Sequence, residues 1–149
     1  MRARDQFHVG IVTTDVEATT AALSATLGYE WGRLIDSTVE VSGPRGPGEF
    51  ALRCVFSIGE PRLEVVRAIP GTLWEPAPGV GIHHIGYFSD DLAGDMDGLV
   101  EHGWQVEATR EMSDGSLFFA FLANPAGFRV ELVDRRAEPG LRTCWAPMT

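Results

Sequence analysis

Read as a string of apolar and polar positions, the chain opens on a short run, FHVGIV, rich in β-branched and aromatic residues, and a similar run, HHIGYF, recurs from His83. Such runs predict strands. A helical stripe follows each. Val16, Thr20, Leu23 and Leu27 recur at intervals of four, three and four, with Thr14 and Glu17 spaced as a capping box and Gly28 where a left-handed helix terminus belongs. After the second run the stripe is Leu92, Met96, Leu99 and Val100, with Asp91 placed to cap it and Gly103 to end it. Three apolar segments then complete each half: GYEWGRLI, EFALRCVFSI and PRLEVVRAI in the first, GWQVEATRE, SLFFAFLA and FRVELVD in the second. Turn chemistry separates the last two of each set, Gly59-Glu60-Pro61 in one half and Asn124-Pro125-Ala126-Gly127 in the other.

Laying residues 7–32 over 83–107 turns this likeness into an internal repeat. At an offset of 76 residues His8 falls on His84, Gly10 on Gly86, Asp15 on Asp91 and Leu23 on Leu99. The closing strands also match, Arg62-Leu63-Glu64-Val65-Val66 against Arg129-Val130-Glu131-Leu132-Val133. The prediction is an α+β fold of two tandem βαβββ modules within one domain, 1–149. The modules span about 5–69 and 82–135, joined by a linker at about 70–81 and followed by a tail, 136–149. The stretch Ser42 to Gly48, SGPRGPG, has no counterpart in the second module. It lacks the lysine and the strand-to-helix context of a phosphate-binding loop, and reads as a mobile loop beside a site.

Alternation along a strand sorts the polar residues. His8, Gly10 and Val12 share one face of the first strand, and Phe7, Val9 and Ile11 the other, which is expected to meet the helix layer. The same parity puts His84 on the corresponding face of the second module. Leu63 and Val65, or Val130 and Leu132, pack beneath the helices, so Glu64 and Glu131 face where the histidines face. A buried carboxylate in an apolar strand requires a compensating charge, and a metal ion supplies one to two matched carboxylates and two imidazoles. The donor set His8, Glu64, His84 and Glu131 suits one divalent ion (Zn, Ni, Co, Mn or Fe) and leaves positions open for two substrate oxygens. The competing reading pairs Arg62 with Glu64 and Arg129 with Glu131 as salt bridges. His83 competes with His84, and the repeat selects His84, because only it aligns with His8 before a β-branched residue and a glycine. His102, at a helix end, is expected to be exposed.

Charge narrows the partners. With 21 acidic against 12 basic residues and a formal charge of -9, a nucleic-acid-tracking surface is not expected. The longest apolar run, Leu117 to Ala123, is too short for a membrane span, and no signal-peptide pattern opens the chain, so a cytoplasmic location is expected. Cys54 and Cys144 form neither a redox nor a metal-type pair.

FHVGIV, HHIGYFSDDL, LEVV and VELV together resemble the vicinal oxygen chelate superfamily, which includes glyoxalase I, methylmalonyl-CoA epimerase and extradiol dioxygenases. The likeness runs from about Phe7 to Asp134. It implies a cup-shaped mixed sheet around a metal held by His8, Glu64, His84 and Glu131, and a homodimer. Glutamate at position 64 is similar to the bacterial glyoxalase I quartet, whereas HHIGY and SDDL resemble the epimerases. The activity implied is proton transfer next to a carbonyl or thioester through a chelated enediolate, in an isomerase, epimerase or glyoxalase-type lyase acting on a small molecule. Glu131 is the first candidate for the base and Glu64 the second, with Glu49 as a partner. Phe50, Leu52, Phe56, Trp74, Phe119, Phe121 and Arg53 are candidates for the substrate pocket, and Arg45 for neutralising an anionic group. The alternatives are a drug- or natural-product-binding resistance protein of the same fold and an Fe(II) extradiol-type dioxygenase, the latter disfavoured by a fourth protein ligand at Glu64.

Overall fold

The computed structural model describes residues 1–79 and 81–148, so Val80 of the linker and Thr149 of the tail lie outside the described residues. The first module runs β1 (Gln6–Thr13), α1 (Val16–Leu27), β2 (Ile35–Gly43), β3 (Gly46–Phe56) and β4 (Leu63–Arg67). The second repeats it as β5 (Ile82–Ser89), α2 (Leu92–Glu101), β6 (Gln105–Glu111), β7 (Leu117–Ala123) and β8 (Arg129–Asp134), and a short α3 (Glu138–Arg142) follows. Among the described residues no helix is long and apolar enough to cross a membrane.

The expected mixed sheet is present, and its eight strands close in the order β1-β4-β3-β2-β6-β7-β8-β5. Within each module the first and last strands run parallel, and the modules meet through antiparallel β1 and β5. The far seam is narrow, with Ser42 opposite Thr109. Each helix covers the module's own outer strands. Val16 and Leu23 of α1 lie on Val55 and Val65, and Leu92, Met96 and Leu99 of α2 lie on Ala120, Leu122, Val130 and Leu132. Burial of each such side chain contributes about 1.5–3 kcal/mol. Helix α1 therefore does not cover β1 as parity suggested, whereas Tyr87 of β5 does pack in the α2 cluster. Val9 and Ile11 are half-buried on the outer face of the seam, and Phe7 stacks on Phe88 at 3.8 Å within the interior cluster.

Other departures have local causes. GYEWGRLI forms no strand beyond a single bridge from Trp31 to Ser57. The Trp31 indole is committed to α1, donating to the Thr20 carbonyl and to Ser24 Oγ, and Arg33 N–H donates to the Cys144 carbonyl instead of to a ladder. The strand begins at Ile35, where the alternation that buries Val39 and Val41 starts. The Pro/Gly-rich stretch is a tight hairpin, with Pro44 and Arg45 between β2 and β3 and Gly46 at φ 96°. Helix α1 is capped by Asp15, which accepts from Ala18 N–H at 2.8 Å, and Glu17 pairs with Arg53 rather than closing a capping box with Thr14. The tail, patternless in sequence, buries Cys144 and Trp145 in the interior.

Candidate metal centre

Strand register assembles the four expected side chains. Across the central seam His8 lies opposite Gly86 and His84 opposite Gly10, while Gly10 lies beside Glu64 and Gly86 beside Glu131. Each glycine thus stands between a histidine and a glutamate on neighbouring strands. A Cβ at Gly10 would overlap the His84 ring, and one at Gly86 the His8 ring. The absence of a side chain lets both imidazoles lie over the seam and meet the carboxylates. The aligned His-x-Gly of the two halves carried this signal, but its purpose depends on the cross-strand register.

One ligand atom from each of the four residues falls within 4.8 Å of the others. His8 Nε2 is 2.9 Å from His84 Nε2, 3.4 Å from Glu64 and 3.2 Å from Glu131. His84 Nε2 is 3.2 Å from Glu64 and 3.6 Å from Glu131. Neighbouring ligands about 2.0–2.1 Å from one ion stand roughly 2.8–3.0 Å apart in octahedral and 3.3–3.4 Å in tetrahedral geometry, so separations of this size suit a single cation. Two protonated Nε2 atoms facing each other across 2.9 Å would repel. The arrangement suits one shared proton or a cation. With one proton the quartet keeps a net negative charge, whereas a divalent ion with both imidazoles neutral balances it. Arg62 and Arg129 do not supply that balance. Arg62 donates to the Ser57 and Ile58 carbonyls and covers Trp145, and Arg129 is held by Glu107.

The protonation energetics follow from this crowding. Burial of His8 opposes its charge, but hydrogen bonding to Glu131 and Glu64 and their charges prevail and raise its pKa to about 9. The same opposition raises His84. Burial would raise Glu64 and Glu131, yet their hydrogen bonds to His8 and His84 hold both below the usual carboxylate range.

An aromatic shell repeats across the two halves. Phe56, opposite Glu64, sets its ring edge-on to His8 at 5.5 Å, and Trp145 of the tail packs on Phe56 at 5.4 Å. Phe121, opposite Glu131, sets its ring edge-on to His84 at 5.1 Å, and Trp74 of the linker packs on Phe121 at 5.7 Å. Each module's closing strand is followed by a segment that delivers a tryptophan against the other module. Trp145 and its role are absent from the sequence reading, and no local pattern announces them.

His83 is buried as well. Its register jumps between Gly10↔His84 and Ile11↔Ile82, a bulge that turns two consecutive side chains inward. Its Nδ1 lies 2.9 Å from His84 Nδ1 and its Nε2 2.6 Å from the Leu73 carbonyl. Burial, with the charges of His84 and Arg129, lowers its pKa to about 4, against the pull of the Leu73 carbonyl. Simple strand parity, which sets His83 opposite to His84, misses this.

A cavity of about 530 Å³ is lined by the β2–β3 hairpin and by Pro70 to Trp74, and none of the quartet lines it. Of the pocket candidates, Phe50 and Trp74 line this cavity, with Arg45 at its rim donating to the Gly71 carbonyl. Phe56, Phe119 and Phe121 are buried in the interior and Leu52 packs against them. Arg53 does not reach the interior: it sits on the opposite face of β3 and pairs with Glu17 and Asp36. Glu49 shares that outer face and is exposed. His102 is exposed, as expected, with Nδ1 2.7 Å from the Gly98 carbonyl.

Comparison with known proteins adds the evolutionary context. The sequence profile of the glyoxalase/bleomycin resistance protein/dioxygenase superfamily matches residues 7–121. Among solved structures the fold is similar to a Streptomyces coelicolor methylmalonyl-CoA epimerase variant in complex with 2-nitronate-propionyl-CoA, with TM-score 0.60 and 22% identity over 87% of this chain and 96% of that one. It is similar to Mycobacterium tuberculosis methylmalonyl-CoA epimerase, with TM-score 0.59 and 15% identity over 92% and 91% of the two chains. A variant of Streptomyces coelicolor 4-hydroxymandelate synthase matches 87% of this chain with 38% of its own, at TM-score 0.54 and 20% identity. None of the curated proteins matches the sequence.

Proposed function

The chain belongs to the glyoxalase/bleomycin resistance protein/dioxygenase superfamily, and from that premise we propose that it is a metal-dependent enzyme moving a proton on the carbon next to a carbonyl or thioester. The observation that carries this reading is the quartet, four donor atoms within 4.8 Å that fit one divalent ion and are incompletely balanced without it. Held by His8, Glu64, His84 and Glu131, a divalent ion would supply Lewis-acid polarisation of substrate oxygens and so acidify the neighbouring C–H. His8 and His84 hold the site's geometry from the central seam, and their neutral forms are the ones that serve it. Glu131 is our first choice for the residue that takes and returns the proton, with Glu64 second, because both carboxylates converge on the same point. Phe56 and Phe121 wall the histidines and limit water around them. A homodimer in the cytoplasm belongs to the same reading and is checked by sedimentation and fractionation.

Metal analysis of the purified protein is the first test. About one equivalent of Zn, Ni, Co, Mn or Fe is expected in the wild type and loss of it in His8→Ala and Glu131→Ala. No stoichiometric metal after supplementation would overturn the enzyme reading. Solvent deuterium exchange into an α-branched acyl-CoA thioester such as methylmalonyl-CoA, or a hemithioacetal of a 2-oxoaldehyde, then identifies the chemistry. Exchange unchanged in Glu131→Gln and in Glu64→Gln would remove both from the proton-transfer role.

One observation favours a second reading, a binding protein for a bulky natural product: the 530 Å³ cavity has Pro44, Pro47, Phe50, Leu73 and Trp74 in its wall and stands apart from the quartet. Tryptophan fluorescence of Trp74 with planar drugs, unaffected by metal removal, supports that reading over the first.

A further inference from the structure

We propose that His83 is a positioning residue for His84, fixing which of its ring nitrogens carries the proton through a chain of hydrogen bonds that starts at the Leu73 carbonyl. The proposal rests on the metal reading above in one respect: the nitrogen left free is the one aimed at the quartet.

The chain is settled by what each atom is able to do. A carbonyl only accepts, so His83 Nε2, 2.6 Å from Leu73 O, is the donor. A neutral imidazole protonated on Nε2 has a bare Nδ1. That atom lies 2.9 Å from His84 Nδ1, and two bare nitrogens would repel, so His84 Nδ1–H donates to it. The one His84 nitrogen left to give its lone pair to a cation is Nε2, the atom 2.9 Å from His8 Nε2 and 3.2 Å from Glu64. The opposite order of protons would leave His84 Nε2 protonated and unable to ligate.

Two features hold the relay still. The bulge at the start of β5 turns His83 inward beside His84. The linker fixes its far end: Ile69 N–H donates to the Trp74 carbonyl at 2.8 Å, and Thr72 Oγ bridges the Ile69 carbonyl and Trp74 N–H. The first module has an equivalent bulge, between Gln6 and His8, but it turns a phenylalanine inward in place of a histidine. Phe7 occupies the position equivalent to His83, and among the described residues His8 Nδ1 is buried without a hydrogen-bond partner.

The test reads the proton directly. In protein labelled with nitrogen-15 on histidine, a coupling across the hydrogen bond between His84 Nδ1 and His83 Nδ1, with the proton on His84, is expected with and without Zn²⁺. Chelator competition is expected to show Zn²⁺ affinity lowered about 10- to 100-fold in His83→Phe, which copies Phe7, and largely restored in His83→Asn, whose side-chain oxygen accepts where Nδ1 did. A folded His83→Phe protein with wild-type Zn²⁺ affinity, or a wild type whose proton resides on His83 Nδ1, would overturn the proposal. A purely structural role would lower thermal stability in both variants and leave affinity unchanged. Should His83→Phe fail to fold, the wild-type coupling decides alone. A wild type that shows the coupling yet takes up no Zn²⁺ removes the metal reading and leaves the relay standing.

Discussion

In the first half of the barrel His8 follows Phe7, carries the edge of Phe56 against its ring and, among the described residues, has no partner at Nδ1. In the second half His84 follows His83, carries the edge of Phe121 and is bonded at Nδ1. The candidate ligand atoms are duplicated, together with the glycines that make room for them and the aromatic rings that flank them. The support behind the two histidines is not. Duplication repeats whatever is encoded within a module, whereas support is drawn from whatever lies nearby, and only the second histidine has the linker within reach. At Nδ1, therefore, His8 lacks the hydrogen bond that ties His84, through His83, to a backbone carbonyl.

The largest effects should come from the tryptophans that each half lends to the other. Trp74→Ala and Trp145→Ala are each expected to cost about 3–5 kcal/mol in denaturant unfolding, since both indoles are buried against a phenylalanine beside the quartet. A much smaller cost at Trp145 would show that the tail is not an equal partner of the linker.

Next comes pH, acting on the metal-free protein. The folded pKa of His8, raised to about 9 from 6.5, makes its contribution complete below pH 6.5 and lost as pH rises through 9, roughly 3 kcal/mol across that window. Glu64 and Glu131 are shifted down from 4.5, so their contribution holds above that value and fades as pH falls. Metal-free stability is thus expected to be greatest between about pH 4.5 and 6.5, while Zn²⁺ affinity climbs with pH toward 9 as protons cease to compete. Unfolding curves at several pH values with and without chelator check both slopes.

Glycine substitutions sharpen the contrast between the ligands. Gly86→Ala presses on His8, unbonded at Nδ1 among the described residues, and Gly10→Ala on His84, bonded there to His83, and overpacking of this kind costs about 1–3 kcal/mol. Gly10→Ala is expected to be the worse for stability and for Zn²⁺ uptake, because His84 cannot yield without breaking its bond to His83. Equal losses would count against the asymmetry. Arg53→Ala should do least, no more than about 1 kcal/mol with metal content unchanged, as its ion pairs with Glu17 and Asp36 lie on the outer surface.

Much of the first-module and second-module likeness was legible in the chain. His8 and His84, Glu64 and Glu131, and the glycines between them stand at matched positions in strands whose alternation is regular. Strand parity also separates Arg53 and Glu49 from Phe50 and Leu52, a distinction the apolar character of the segment obscured. The inward turn of His83 had no such signal, since a bulge breaks parity through the partner strand's register rather than through its own residues.

The sequence by itself determined the duplicated βαβββ order, the two helices and the four polar residues in each other's image, because these follow from local periodicity and from repetition. Only the tertiary structure decided that the sheet closes, that Trp74 and Trp145 cross between halves, and that Leu73 reaches His84 through His83. Those contacts join segments with no common period, so they are set by which surfaces remain to be buried once the strands have paired.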